Sequence, residues 1–334
     1  MSTAIAGPAI DLPAGLRTGH TQADFPKWLA AHATGIGGSE AAAIMGQNPW
    51  KSALEVYVEK TEPAKLDDNV GEAALWGRLF EEPMIMEFAR RTNRDIQMGG
   101  ELVRSREHEH MICTLDALQQ PSGKWGKGDT YGLVEGKTTA LGHRYPKPGS
   151  DEEIPVEVQI QVQHCFVVTG LTWGDVVWLP LPERRLQWRE QFANDDFARM
   201  LIDQVAVFWK RIEDRNPPPP DGSDSAGRAL AAMYGNPDGE SMVLSDHELD
   251  LQKELSGLAS TRKNIEDREK EIKQDIRSTM RDFEFGSLPD GSSFSLKQQS
   301  RRGTPCDECG HSKAGKPFRV LRHRKSKAAT RGMK

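Results

Sequence analysis

The order of elements written into this sequence predicts an α/β (α+β) fold, a central mixed β-sheet flanked by helices and followed by a long-helix extension. Three observations predict it. Helical periodicity governs residues 24–91, alternation with period two takes over after Gly99-Gly100, and helix and strand signals then interleave to about residue 212. A separate and longer helical signal begins at Ser245.

Residues 1–22 are rich in Gly, Pro and Ala and read as a mobile arm ahead of a core over 23–215. A helix starts at Asp24 and stops near Gly35, where Gly35-Ile36-Gly37-Gly38 makes a loop. Ser39 reads as the N-cap of the next helix, which runs through Met45 to Gly46. Another helix starts at Ser52. A strong one spans Glu72–Arg91, with Leu75, Trp76, Leu79, Ile85, Met86 and Phe88 forming one broad apolar face. Strands are expected at 101–104, 110–115 and 131–135, with a Gly/Lys-rich turn over 122–128. A helix at 155–168, strands at 173–179 and 184–188, and a helix at 192–212 complete the core. The four prolines Pro217–Pro220 mark 216–227 as a stiff linker. Beyond it, 228–334 holds the long helix and a small basic β/loop tail. Leu251, Leu258, Ile265 and Ile272 recur at seven-residue steps along that helix, a spacing that suits either coiled-coil packing or docking on the same chain.

Hydrophobic residues make up 37% of the 334, enough for a sizeable core. No apolar run approaches the roughly 20 residues a membrane span needs, and the first residues lack the basic and apolar regions of a secretory signal. Four cysteines outside a secretory context point to a reducing compartment, hence the cytoplasm. The net charge of −5 is uneven: 11 Lys/Arg against Asp307 and Glu308 give residues 301–334 a charge of +9, leaving −14 for the first 300. An acidic body with a basic tail is a poor match to a bulk-charge nucleic-acid binder. It suits an enzyme whose acids hold metal ions and whose tail touches phosphates.

Gly132-Leu-Val-Glu-Gly136-Lys137-Thr138 is no nucleotide-binding P-loop, because Tyr131 stands where the first glycine belongs. Read as a strand, the same segment turns Glu135 and Lys137 to one face, nineteen residues after Asp116. Two carboxylates and an amine on neighbouring strands suit metal-assisted phosphodiester hydrolysis. The carboxylates hold one or two Mg²⁺ ions through oxygen, and the lysine orients the attacking water.

Four further segments sharpen this reading. Trp28-Leu29-x-x-His32-x-x-Gly35-Ile-Gly-Gly-Ser39-Glu40 opens the core, and Gly77-Arg-Leu-Phe-Glu81 follows on a helix. Thr114-Leu-Asp116 and Val134-Glu135-Gly-Lys137-Thr138 come next, then Gln159-Ile-Gln161-Val-Gln163-His164 ahead of Gly170. In this order the segments resemble the YqaJ-like viral recombinases, the PD-(D/E)xK nuclease family that includes the phage lambda exonuclease. The resemblance covers about residues 24–213. It implies that Asp116 and Glu135, with the carbonyl of Gly136, ligate Mg²⁺, with Mn²⁺ as a substitute and two ions in the site. Glu81 faces the metals, Lys137 helps activate the water, and Gln161 positions water or phosphate. His32, Ser39 and Thr114 fall where the family holds the 5′-phosphate of its substrate. Two positions depart from the pattern: His32 replaces an arginine, so the pocket has a group mostly neutral at pH 7, and Leu115 replaces a proline.

By the same resemblance the chain is a DNA exonuclease of phage or prophage origin, active in the bacterial cytoplasm. It resects linear duplex 5′→3′ for a single-strand annealing partner and assembles as a ring-shaped trimer. The alternatives are a catalytically silent DNA-binding adaptor and an endonuclease; retention of Glu81, Asp116, Glu135, Lys137 and Gln161 speaks against the silent adaptor. Cys306-x-x-Cys309-x-His311 is half a Zn²⁺ site, with His323 as a fourth ligand candidate. Cys113 and Cys165 read as buried apolar residues.

Overall fold

The computed structural model describes residues 12–21, 24–62, 71–121, 131–235, 239–300 and 317–325. They belong to two compact units, Met1–Asp238 and Gly239–Lys334. The first unit opens with β1 (Gly15–Thr21), α1 (Phe25–His32), α2 (Gly38–Ile44), α3 (Ala53–Thr61) and α4 (Glu72–Thr92). Strands β2 (Arg94–Met98), β3 (Glu101–Ser105), β4 (Ile112–Thr114), β5 (Ala117–Pro121) and β6 (Gly132–Thr139) follow. It closes with α5 (Val156–Thr169), β7 (Trp173–Pro180), β8 (Gln187–Phe192), α6 (Asp195–Glu213) and α7 (Asp224–Tyr234).

The central sheet is mixed, in the order β2-β5-β6-β7-β8. Only β6 and β7 run parallel, and α5 is the crossover that a parallel pair requires. Successive residues of β6 alternate between two cores. Leu133 joins Leu118, Val176 and Trp178 on the face toward α5, while Val134 joins Ala117, Ile96 and Val177 against Met84, Ile85 and Phe88 of α4. Helix α5 is mostly buried, packed against α2 and α6 and against the strands at 101–105 and 112–114. A second, antiparallel sheet pairs β1, β3 and β4. Ile36 bridges Met111 beside it and so ties the Gly35–Gly38 loop to β4.

The structure differs from the sequence-based expectations at several points. Residues 15–21, expected within the arm, form β1, held by its ladder with β3 and by an Arg17–Glu101 ion pair of 2.8 Å; Leu12 just before it is buried. Gly37, not Ser39, caps α2, and its backbone N–H donates to Glu40 at 2.7 Å. Strand β8 continues to Phe192, so α6 begins only at Asp195, capped by Asn194. The apolar face of α4 is covered only in its second half: Met84, Ile85, Phe88 and Ala89 are buried, whereas Leu75, Trp76 and Leu79 are exposed.

The boundary expected over 216–227 also moves. Helix α7 lies beyond the prolines, yet Ala226 and Ala229 are buried in the main core and Ser225 accepts from the Ser52 backbone N–H at 2.7 Å. Small residues let α7 pack closely on α3, and the first unit ends at Asp238.

The second unit contains α8 (Asp246–Met280), opened by a Ser245–Glu248 capping box, and β9 (Phe285–Ser287), β10 (Ser293–Gln299) and β11 (Phe318–Arg324). These strands form an antiparallel sheet with β10 in the centre. The expected hairpin of 291–297 with 318–322 is the β10–β11 pair. Cys306, Cys309 and His311 lie outside the described residues, as does the turn over 122–128.

Candidate active site

Asp116 sits between β4 and β5, where the main chain is clamped. The N–H groups of Gly99 and Gly100 donate to the carbonyls of Asp116 and Leu115, both at 2.8 Å. No side chain fits at residue 99, since a Cβ there would stand 1.9 Å from the Leu115 carbonyl oxygen. β5–β6 pairing sets Ala117 opposite Val134 and so brings Asp116 beside the middle of β6. There its Oδ2 accepts the Gly136 N–H at 2.8 Å.

Glu135 and Lys137 share the α5-facing side of β6, as period two demands. Glu135 is only 3% exposed, and its Oε1 receives two short hydrogen bonds, from Lys137 Nζ and Gln161 Nε2, each 2.6 Å. Of the three glutamines on α5, Gln161 alone reaches this carboxylate. Gln159 donates to the Ile154 carbonyl, and Gln163 ties α5 to the start of α6 through Phe192 and Asn194. Gly38 lets α2 close onto α5 at this level, because a Cβ there would come within 2.8 Å of Gln161 Cγ. Next to this cluster His164 is fully buried against the Ile112 carbonyl at 2.9 Å, and burial pushes its pKa down to about 4.

Electrostatics join Glu81, from α4, to the same centre. Burial raises its pKa first and the Glu135 charge second, with Lys137 opposing. Asp116 is held well above the usual carboxylate range by burial, then by Glu135 and Glu81; Lys137 and the Gly136 N–H offset this only partly. Burial alone would lower the Lys137 pKa, but Glu135 and Asp116 outweigh it and the pKa rises, so the group stays an ammonium. Tyr145, stacked on Trp178 at 5.5 Å, is pushed up to about 12 by burial and remains a neutral phenol.

Three carboxylates thus face one ammonium, a surplus of negative charge in a desolvated place. A hard divalent cation fits this donor set, since it relieves that repulsion through oxygen ligands. Among the described residues no three His, Cys, Asp or Glu side chains converge closely enough to hold a metal ion by themselves. Mg²⁺ ordinarily uses one or two carboxylates and keeps water for the rest.

The three residues expected to hold phosphate are brought together in part. Trp28 links two of them: its ring stacks on His32 with centroids 4.8 Å apart, and its Nε1 donates to Thr114 Oγ1 at 3.2 Å. Ser39 is exposed on the first turn of α2, one residue from Glu40. Beside His32 lies a pair that sequence reading missed. Lys60 Nζ and Glu40 Oε1 are 2.8 Å apart with side chains 2% and 4% exposed, and Lys60 also donates to the His32 carbonyl at 2.9 Å. Burial, helped by Lys60 and Lys51 and opposed by Glu40, lowers the His32 pKa to about 4. The imidazole is therefore neutral throughout the physiological range, not poised to titrate within it. Glu40 at N3 of a helix was legible as a capping residue; nothing connected it to Lys60. Cys113 and Cys165 are buried free thiols, as expected.

Residues 27–172 match the YqaJ-like viral recombinase domain. A Bacillus subtilis (strain 168) protein named uncharacterized protein YqaJ is 26% identical over 265 residues, which is 78% of this chain and 80% of that one. Among solved structures, the alkaline exonuclease LHK-Exo from Laribacter hongkongensis aligns with 57% of this chain and 94% of its own, at 19% identity and a TM-score of 0.44. Its complex with dAMP aligns over the same shares at 18% identity and the same TM-score.

Proposed function

We propose, from the match of residues 27–172 to the YqaJ-like viral recombinase domain, that this chain is a Mg²⁺-dependent DNA exonuclease. It resects linear duplex 5′→3′ and leaves 3′ single strands for a single-strand annealing partner. The observation that carries this reading is the Glu135 carboxylate, held at one oxygen by Lys137 and Gln161 beside Asp116, which immediately precedes the adjoining strand β5.

Asp116, Glu135, Glu81 and the Gly136 carbonyl are the groups that would hold the metal. When bound, it polarises the scissile phosphate and lowers the pKa of the attacking water. Gln161 fixes the rotamer of Glu135 by occupying one of its oxygens. Lys137, kept protonated by its carboxylate neighbours, donates hydrogen bonds and orients the water; it is not the base. Thr114, Ser39 and neutral His32 offer hydrogen bonds to the terminal phosphate. Lys60, paired with Glu40, adds little net charge to that pocket.

End-labelled linear duplex and covalently closed circles, incubated with Mg²⁺ or with EDTA, test the reading. Loss of nucleotides from 5′ ends of the linear substrate in Mg²⁺ alone is expected. Nicking of the circles at a comparable rate would assign an endonuclease, and binding without cleavage of either substrate a silent adaptor.

A further inference from the structure

Helix α8 carries an exposed apolar seam. Leu251, Leu255, Leu258, Ile265 and Ile272 are between 44% and 67% exposed, and Ile276 is half-buried. Their spacing alternates four and three, the pattern of a two-helix seam. Two positions of that pattern are charged instead, Arg262 and Glu269. At 1.5 Å per residue the seam is about 38 Å long.

Those two charges decide what the seam accepts. Against a parallel copy in register, Arg262 meets Arg262 and Glu269 meets Glu269, like charges stacked on the seam. Against an antiparallel copy, Leu251 faces Ile276 and Leu255 faces Ile272, so apolar layers close both ends. In the middle Arg262 lies over Ile265, and Glu269 over Leu258, of the other copy. Glu269 of that copy is one turn away, about 6 Å along the axis, within reach of the guanidinium. The two-fold symmetry makes this contact twice. The present partners of both charges, Glu266 at 3.9 Å from Arg262 and Lys273 at 2.5 Å from Glu269, are exposed neighbours on the same helix and cost little to exchange.

We infer that α8 is a dimerisation surface, pairing antiparallel with α8 of a second copy of this chain through the Leu251–Ile276 seam and a reciprocal Arg262–Glu269 contact. The inference is independent of the nuclease reading.

Sedimentation of the full-length protein and three variants tests it. Leu251→Ala/Leu258→Ala/Ile265→Ala removes the seam while raising helix propensity; its mass should be half that of the parent, whatever assembly the rest of the chain makes. Arg262→Glu places a second carboxylate against Glu269 at both symmetric contacts and should weaken self-association by roughly ten- to thirtyfold. Arg262→Glu/Glu269→Arg reverses both charges and should return to within about threefold of the parent. Circular dichroism establishes that the helix persists in each variant. Equal masses for parent and alanine variant would overturn the proposal. So would an Arg262→Glu protein that associates like the parent, or a double variant as weak as the single one.

Discussion

Two of the glutamate–lysine pairs in the first unit are of nearly equal length and opposite character. Lys60 and Glu40 are 2.8 Å apart with both side chains shut away from solvent. Lys137 and Glu135 are 2.6 Å apart, but the lysine is 28% exposed and two more carboxylates, Asp116 and Glu81, act on the same charge. The first pair is locally balanced and closes a structural joint between α2, α3 and the end of α1. The second has too much negative charge for its surroundings, and that imbalance suits a cation. The same two residue types therefore stand in a balanced or an unbalanced setting according to whether the charges around them sum to zero.

Breaking the second pair should have the larger effect. Asp116→Asn or Glu135→Gln is expected to reduce Mg²⁺-dependent hydrolysis at least about a thousandfold while the protein stays folded. Mg²⁺ at ten times its dissociation constant should stabilise the parent by about 1.4 kcal/mol and leave Asp116→Asn unmoved. Thermal denaturation with and without Mg²⁺ reads this directly, and a variant that still gains stability from Mg²⁺ would remove Asp116 from the site.

Breaking the first pair should instead cost stability. Glu40→Gln or Lys60→Met leaves a buried charge without its partner, a loss of about 3–5 kcal/mol, while the double replacement should recover most of it. Denaturant titration of the three variants decides this. If the singles cost no more than a surface pair, the joint is not closed.

The two carboxylates also predict opposite pH dependences without metal. The Asp116 pKa is raised in the native state, so its contribution is present below the ordinary aspartate range and is lost as pH climbs through the raised value. Asp116→Asn should therefore melt a few degrees above the parent at pH 8, with the gap closing toward pH 3. The Glu40 pKa is lowered, so its contribution is present at neutral pH and is lost on acidification. Glu40→Gln should melt below the parent at pH 8, with the difference shrinking as pH falls. Melting temperatures in EDTA across this range would expose either sign as wrong.

The smallest effect concerns His32. With its pKa near 4, the preference for 5′-phosphorylated over hydroxyl ends should stay within about twofold between pH 6 and pH 8. A steep decline over that interval, measured as a rate ratio, would show that substrate binding restores the imidazole's proton.

The sequence exposed the grouping of the candidate site's side chains better than the packing around them. Asp116, Glu135 and Lys137 were legible because strand alternation fixes which side chains share a face, and Gln161 because its segment resembles a known one. The Glu40–Lys60 pair was not, since its members lie on different helices and only tertiary packing joins them. Helix α7 was hidden behind Pro217–Pro220: its buried face is alanine and serine, a weak hydrophobic signal that works through close approach to α3. Periodicity identified the apolar face of α4 but not how far the sheet extends beneath it, so exposed Leu75, Trp76 and Leu79 looked no different from buried Phe88.

The glycine at position 99 has a consequence for how such a site can vary. Asp116 is located by main-chain atoms on both sides of the clamp, so neighbouring side chains can drift through many substitutions without displacing it. The tolerance is concentrated elsewhere because position 99 has none: any Cβ collides with the carbonyl just before the acid. In a saturation library scored for folded, active clones, residue 99 should be as intolerant as the acid itself, although it contributes no functional group. The position of Asp116 is inherited partly as the absence of a side chain seventeen positions earlier.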